Sequence, residues 1–177
     1  MKHKHSISCL LAAAAAAAMA CSCTKEDAAR FEGDYSFKTS GTLTISADGT
    51  DGTGEGTPQT VSLVPESGQM EMVKKGKSKN DMVITMNILG GDAVVFGNAS
   101  ADERVLTLLE PYTERRVAVT AAGSSGIGYA DVTISGSAEK FTDVVLFSLE
   151  YSGTVTIGDT VYPIIASDVD CVAHEND

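Results

Sequence analysis

Hydrophobic and polar residues alternate with a period of two along most of the chain after Gly33. In the stretch DYSFKTSGTLTI, residues 34–45, every second position from Tyr35 to Ile45 is aromatic, aliphatic or small, and the positions between are polar. Such alternation is typical of a β-strand with one buried and one solvated face. The same pattern predicts nine further strands, at residues 60–64, 69–74, 82–89, 93–99, 105–109, 116–121, 130–135, 143–157 and 160–165.

Turn-forming residues separate the predicted strands. Glycine occurs in the connections around residues 76, 90–91 and 158, and Pro111 interrupts the segment EPYTE. Glycine and proline favour the tight reversals that join antiparallel strands. The chain is therefore predicted to be all-β, an antiparallel up-and-down β-barrel of the calycin-like kind, with a β-sandwich as the alternative.

One short sequence occurs twice. TSGTLTI at residues 39–45 resembles YSGTVTI at residues 151–157, and each copy places a glycine, Gly41 or Gly153, at the same phase of the buried face. Glycine there allows a sharp bend or a close contact with a neighbouring strand. Two interpretations are open: first and last strands of similar shape pair to close a barrel, or both copies reflect the composition common in such strands.

The inward-facing positions contain mostly aliphatic residues and methionines. Few of them are large aromatic residues, which leaves room for an internal cavity. Methionine could equally fill the interior, because its side chain adapts to irregular spaces. The predicted interior residues are Phe37, Leu43, Leu63, Met70, Met72, Ile84, Met86, Ile88, Val95, Leu106, Val119, Ile134, Phe147, Leu149 and Val155.

The first 22 residues have the three parts of a secretory signal peptide. A start rich in lysine and histidine is followed by an apolar segment, Ile7–Ala18, and then by small residues. The apolar segment is shorter than the about 20 residues that a membrane-spanning helix needs. We therefore predict a lipoprotein signal peptide at 1–22, an acylated linker at 23–32 and a single β-barrel domain at 33–177.

Cysteine follows the small residues at two positions, Cys21 and Cys23. This arrangement resembles the bacterial lipoprotein signal, in which a cysteine becomes the first mature residue and carries a lipid anchor. CTKED, from Cys23 onward, resembles the surface-export signal of lipoproteins in Bacteroidota-type bacteria. We predict lipidation of Cys23, with Cys21 as the alternative, and an export signal of Lys25, Glu26 and Asp27. The predicted location is the outer membrane, facing the cell exterior.

The segment GDYSFKTSGTLTI carries a second resemblance. Gly33 and Tyr35 fill the places of the glycine and the aromatic residue that begin the first strand in calycin-like and lipocalin-like lipoproteins of Bacteroidota-type bacteria. Lipocalins proper have tryptophan at the place of Tyr35. The resemblance covers the first strand and the general meander. It implies an up-and-down barrel with an internal cavity or a solid core, and it transfers no specific ligand.

Charge and cysteine content limit the partners. Removal of the leader leaves 11 basic residues against 24 acidic ones, a net charge of −13. This charge argues against nucleic acid as a partner, because phosphate binding uses clustered lysine and arginine. With Cys23 acylated, Cys171 is the only free cysteine of the mature chain, so a disulfide framework is excluded.

Candidate catalytic residues are few. The mature chain has a single histidine, His174, close to Cys171 near the C-terminus. These two could form a nucleophile and its base, but we predict that they belong to an end strand and a frayed terminus. Glu110 and Glu114 resemble the paired carboxylates of a glycosidase, but their place around a proline favours a solvated loop. We predict that the protein is not an enzyme and has no cofactor.

One acidic loop and one glycine-rich segment suggest ligand binding. SADGTDGTGEGT places Asp48, Asp51 and Glu55 among glycines, which supplies oxygen ligands suited to calcium. The spacing differs from that of an EF-hand, and an acidic hairpin loop is the favoured interpretation. GSSGIG, residues 123–128, lacks the lysine of a phosphate-binding loop and is predicted to be a turn.

Two further segments are expected at exposed turns. KKGKSKND contains Lys74, Lys75, Lys77 and Lys79. It could meet an anionic polysaccharide or lipid headgroup, but a solvated hairpin tip whose lysines discourage edge pairing is the favoured interpretation. The tripeptide around Thr160, DTV, resembles the O-glycosylation sequence of exported Bacteroidota-type proteins and predicts a glycan on that threonine.

Two functional hypotheses follow from these observations. In the first, the protein is a membrane-anchored, noncatalytic binding module whose barrel cavity or loop rim takes a small apolar molecule or a glycan. In the second, it is a structural or interaction lipoprotein with a solid core, acting as an accessory subunit or an inhibitor. The degree to which side chains fill the core distinguishes the two.

Overall fold

The computed structural model describes residues 26–46, 57–121 and 127–177. These residues form ten β-strands, one turn of 3₁₀-helix and no α-helix, so the predicted all-β class is confirmed. The 3₁₀ turn spans Ala28–Arg30. The strands are β1 (Gly33–Ser46), β2 (Pro58–Leu63), β3 (Ser67–Lys74), β4 (Asp81–Ile88), β5 (Ala93–Asp102), β6 (Val105–Leu108), β7 (Thr113–Ala121), β8 (Ile127–Lys140), β9 (Val144–Ile157) and β10 (Thr160–Glu175).

All ten strands belong to one antiparallel sheet that closes on itself. The strand order is β10-β9-β8-β6-β5-β4-β3-β1-β2-β7, and β1 also pairs with β10, which completes a barrel-like ring of eight strands. Along this seam Tyr35 lies opposite Glu175 and Leu43 lies opposite Ser167. Closure pairs the backbone groups that the first and last strands would otherwise expose at a sheet edge.

Two long strands, β1 and β8, pair with different neighbours in their two halves. The first half of β1 pairs with β3 and its second half with β2. The first half of β8 pairs with β7 and its second half with β6. Because β2 also pairs with β7, six strands form a narrower ring at the opposite end. We call the eight-stranded end, where β1 begins, the wide end, and the other the narrow end.

Side chains fill the interior of the ring as one continuous core. Of the predicted interior residues, Ile88 is only partly buried and the prediction for Val95 is wrong, because its side chain is 49% exposed. Its neighbours Val94 and Phe96 point inward instead. Three consecutive apolar residues fit either phase of the alternation, so the pattern alone did not fix which of them face the core. The other predicted interior residues are buried.

The last strand is longer than the sequence pattern predicts. The expected strand at 160–165 continues to Glu175, and the expected frayed terminus is instead the part of β10 that pairs with β1. Val169, Cys171 and Ala173 face the core from this segment. Because these side chains are small or medium in size, the hydrophobic alternation in this segment is weak.

The 3₁₀ turn closes the wide end. Ala28 and Phe31 are fully buried, and the Ala28 amide donates to the Lys79 carbonyl at 3.0 Å. Part of the segment predicted as a linker, 23–32, therefore packs into the core. Apolar burial of this kind favours the packed over the extended form of the segment.

The two copies of the repeated sequence lie in β1 and β9, which do not pair with each other because β10 lies between them. The ring is closed by the first and last strands, but the last strand does not carry the second copy. A Cβ atom on Gly41 would overlap the Asp168 carbonyl, and one on Gly153 would overlap the Asp131 carbonyl. Both glycines thus lie where two backbones approach closely.

Candidate functional site

An open groove lies at the rim of the wide end. Its volume is about 580 Å³, and it lies between the 3₁₀ turn, the β5–β6 turn, the β8–β9 turn and the end of β10. Basic, acidic and aromatic side chains line it together, including Arg30, Glu32, Glu103, Arg104, Lys140, Phe141 and Glu175. We call it the wide-end groove.

A hydrogen-bond network forms the inner wall of this groove. The Lys140 ammonium donates to the Tyr35 hydroxyl at 2.8 Å and forms an ion pair with Glu175. The Tyr35 hydroxyl in turn donates to the Phe31 carbonyl at 2.8 Å. The Lys140 nitrogen also lies 5.1 Å from the centre of the Tyr35 ring, within cation–π range. This network ties the 3₁₀ turn to three strands.

The ionisation states of this network follow from its contacts. Burial raises the pKa of Tyr35, despite the neighbouring ammonium. Burial acts to lower the pKa of Lys140, but hydrogen bonds to Glu175 and Tyr35 outweigh it, and the pKa is raised overall. At neutral pH the lysine is therefore charged and the phenol neutral. One charged and one neutral group thus have fixed positions at the base of the groove.

The outer wall contains an aromatic ring beside a guanidinium. Phe141, in the β8–β9 turn, is 43% exposed, and the Arg104 guanidinium carbon lies 5.2 Å from its ring centre. Arg104 is itself held by the Lys140 carbonyl at 3.2 Å and by Glu139 at 3.3 Å. The groove thus offers a partly exposed apolar face next to several hydrogen-bonding groups of fixed position.

The predicted export signal falls partly on the wide-end rim. Lys25 lies outside the described residues. Glu26 forms an ion pair with Lys74 at 2.6 Å, which lowers the pKa of Glu26 and raises that of Lys74. Asp27 lies 3.7 Å from Arg30. Both acids are therefore already in contact with basic groups of the folded domain.

The Cys171 and His174 side chains lie on opposite sides of the sheet. Cys171 faces the core and is 1% exposed, whereas His174, three residues later in the same strand, is exposed on the outside. Burial raises the pKa of the Cys171 thiol to about 12. A thiol with this pKa is protonated at neutral pH and is a poor nucleophile.

Glu110 lies on the connection between β6 and β7, whereas Glu114 is the second residue of β7 and pairs with Thr133 of β8. Both are exposed and line one shallow, open groove together with Pro111, Tyr112 and Thr133. The predicted solvated loop thus holds for Glu110, and the prediction of a loop position for Glu114 is wrong because strand pairing already begins at Thr113.

Other predicted sites lie at turns or outside the described residues. Thr160 begins β10 and is exposed. KKGKSKND forms the β3–β4 hairpin tip, as predicted. In the described part of the chain, no group of three or more histidine, cysteine, aspartate or glutamate residues could hold a metal ion. Outside it lie Cys21, Cys23, Asp48, Asp51, Glu55 and most of GSSGIG.

A second surface lies on the outer face of the narrow end. Thr156 of β9 pairs with Tyr129 on one side and with Val161 on the other, so the three side chains form a row across the sheet. Two more exposed aliphatic residues are found on the strands of this end, Ile127 and Ile165. Tyr129, Val161, Ile127 and Ile165 are each between 49% and 63% exposed. We call these four residues the narrow-end patch.

Sequence reasoning missed the wide-end groove. Lys140 and Phe141 lie between two predicted strands, and Glu175 lies in the predicted frayed terminus. The available signal was an aromatic residue within the polar turn segment KFTD, where no core position is expected. Only the closure of the ring brings Lys140 and Glu175 to Tyr35 and so places Phe141 at the same groove.

Comparisons with protein-family models, curated proteins and solved structures give no significant match to this chain. Within the described ranges, no helix has both the length and the apolar character that crossing a membrane requires.

Proposed function

We propose that this protein is a noncatalytic binding module that takes a glycan in the wide-end groove. A lipid attached to Cys23 anchors the protein, which is displayed on the outer membrane. The observation that carries the proposal is the half-exposed Phe141 ring beside a fixed set of cationic and carboxylate groups. Binding sites commonly combine an apolar surface with a few convergent polar groups that fix ligand orientation.

The chemistry of the groove favours a glycan over a small apolar molecule. A glycan presents many hydroxyl groups, which suit the ammonium, guanidinium and carboxylate groups of Lys140, Arg104 and Glu103. An apolar ligand needs an enclosed apolar space, and the ring interior around Tyr35 and Leu43 is occupied by side chains. Polar groups left without partners against such a ligand would weaken its binding.

The proposal also draws on features of the sequence. The signal-like leader and CTKED support a lipid anchor, and β1 begins at Gly33 with Tyr35 buried, as the calycin-like resemblance expects. The Cys171 thiol is protonated and separated from His174, which favours a noncatalytic role.

Two matched variants test the proposal. We expect wild-type protein to bind a restricted set of glycans on an array and in native mass spectrometry. Phe141→Ala should weaken binding by about tenfold or more, since truncation of an aromatic anchor at a hot spot typically costs about 2 kcal/mol or more. Tyr129→Ala is the control, because Tyr129 is 50% exposed but lies at the other end. Equal affinity of wild type and Phe141→Ala would exclude the groove as the binding site.

The narrow-end patch supports a second candidate function, that of an interaction lipoprotein. Clustered exposed apolar residues commonly mark contacts between proteins. In that case the protein should bind no glycan and should co-purify with one protein partner. Tyr129→Ala should abolish that co-purification, and Phe141→Ala should leave it unchanged.

A further inference from the structure

The chain enters the folded domain at the wide-end rim. Glu26 is held to Lys74 at 2.6 Å, and the Ala28 amide bonds to the Lys79 carbonyl at 3.0 Å. Cys23 is three residues before Glu26. The Cα atoms of Cys23 and Glu26 are therefore at most about 10 Å apart. A lipid on Cys23 would hold this rim close to the membrane.

The β3–β4 hairpin places exposed lysines next to this entry point. We call Lys75–Asn80 the lysine tip. Lys75 contacts the Gly97 carbonyl at 3.1 Å and the Asn98 side-chain oxygen at 2.6 Å. No carboxylate of the described residues lies within ion-pair distance of Lys77 or Lys79. The Glu26 carboxyl is already paired with Lys74, which lowers its pKa, and the nearby Lys79 lowers that pKa further without forming an ion pair. Both ammonium groups are exposed and can meet an external anion.

The rest of the wide-end rim carries more carboxylates than basic groups, and its basic residues Arg30, Arg104 and Lys140 are each ion-paired with a carboxylate. Asp102 and Glu103 lie in the β5–β6 region, Asp143 in the β8–β9 turn, and Glu175 at the end of β10. The mature chain as a whole has a net charge of −13. An anionic surface would therefore repel most of the molecule and attract the lysine tip.

We infer that the lysine tip docks onto the phosphate-bearing, anionic headgroups of the membrane that holds the lipid anchor. The wide end then faces the membrane and the narrow end points away from it. The lipid anchor limits the distance between the wide end and the bilayer, and the lysines determine which part of the rim contacts the headgroups. β9 spans 14 residues between the two rims, so the narrow rim lies about 30 Å farther from the bilayer. The inference rests on the lipid anchor of the proposed function.

Site-specific quenching on vesicles tests the docking. The full chain, processed in its own cells, carries a fluorophore at Val73→Cys or, in a separate variant, at Asp159→Cys in the β9–β10 turn. Val73 is 41% exposed at the end of β3 beside the lysine tip, so this label leaves Lys77 and Lys79 in place. Cys171 is 1% exposed and does not compete for the label. Vesicles of phosphatidylglycerol and phosphatidylcholine carry a quencher on their headgroups. We expect quenching at position 73 to be at least about threefold that at position 159, and to fall at about 1 M salt.

A charge-matched pair of variants isolates the lysines. In the Val73→Cys background, Lys79→Gln should reduce quenching, whereas Lys38→Gln, which removes an exposed lysine of β1, should not. Vesicles of phosphatidylcholine alone should also give weaker quenching.

The outcomes separate the two proposals. Failure of the processed chain to sediment with vesicles overturns the lipid anchor and the docking together. Sedimentation with equal quenching at positions 73 and 159 overturns the docking alone. Strong quenching at position 73 that is unchanged by lipid charge, salt and Lys79→Gln overturns headgroup recognition by the lysine tip.

Discussion

Burial controls the chemistry of the Cys171 side chain. Its thiol is in the core and its pKa is raised to about 12, first by burial and then by the nearby Glu66 carboxylate. An unfolded cysteine titrates near pH 9. Between these values the unfolded chain loses a proton that the folded chain retains. The contribution of Cys171 to stability is therefore complete below pH 9 and is lost as the pH rises towards 12.

This linkage predicts a specific loss of stability in alkali. Wild-type protein should lose roughly 1 kcal/mol of stability between pH 8 and pH 10 through Cys171. Cys171→Ala should lose less stability over the same range. Tyr35 and Tyr151, whose pKa values are also raised by burial, begin to act near pH 10 and contribute equally to both proteins. Urea unfolding at both pH values measures the difference, and parallel pH dependence of the two proteins would contradict the prediction.

Gly153 shows how one residue fixes the approach of two strands. Its φ of +137° is unfavourable for residues with a side chain, and a Cβ atom would overlap the Asp131 carbonyl of β8. Gly153→Ala should lower the free energy of unfolding by roughly 1–3 kcal/mol. Gly97→Ala in β5 is the matched control, because a Cβ atom there meets no atom within 4 Å. Chemical denaturation should show a change within about 0.5 kcal/mol for the control, and equal effects would refute the close-contact explanation.

At the residue scale, the sequence predicted which side chains are buried more accurately than which side chains contact each other across the fold. Alternation identified Phe37, Leu43 and Met70 as interior residues, because a strand in a half-buried sheet must alternate. The contact between Lys140 and Tyr35 spans 105 residues of sequence. Neither the local sequence pattern around these two residues nor the composition of the chain predicts this contact, since the contact depends on how the ring closes.

At the element scale, the 3₁₀ turn acts as part of the core although it precedes the first strand. Phe31 is fully buried, and its carbonyl accepts the hydrogen bond of Tyr35. Phe31→Ala should cost about 3–5 kcal/mol, as expected for truncation of a buried phenylalanine. Phe141→Ala, at a site 43% exposed, should cost less than about 1 kcal/mol. Thermal and chemical unfolding of both variants would show the contrast, and a Phe31→Ala protein as stable as the wild type would mean that the turn does not contribute to the core.

The ten strands could be located from the sequence, but the extent of β10 could not. Its second half reads SDVDCVAHE, in which the inward residues Val169, Cys171 and Ala173 are modest in size. The segment forms a strand although its hydrophobic alternation is weak, because pairing with β1 on one side and β9 on the other supplies the backbone hydrogen bonds. Strand formation in this segment is therefore a consequence of tertiary context.

At the scale of the whole molecule, the two ends differ in structure and in chemistry. The wide end holds the groove, the lysine tip and the point where the chain enters the fold. The narrow end holds the exposed apolar patch and the β9–β10 turn with Thr160. If the wide end faces the membrane, the glycan in its groove would be one that the membrane surface presents, and the patch would remain accessible from outside.

Ring closure depends on the second half of β10. Removal of residues 166–177 would delete the partners of β1 from Tyr35 to Thr44 and those of β9 from Val144 to Leu149. Both strands would then have free edges, which pair readily with other chains. We expect this truncated protein to aggregate and to lose cooperative unfolding, as judged by size-exclusion chromatography and by circular dichroism during heating. Removal of Asp177 alone, which lies beyond β10, should leave a monomer with a melting transition close to that of the wild type. A monomeric, cooperatively folding protein that ends at Ile165 would show instead that the remaining strands form a stable sheet without the seam between β1 and β10.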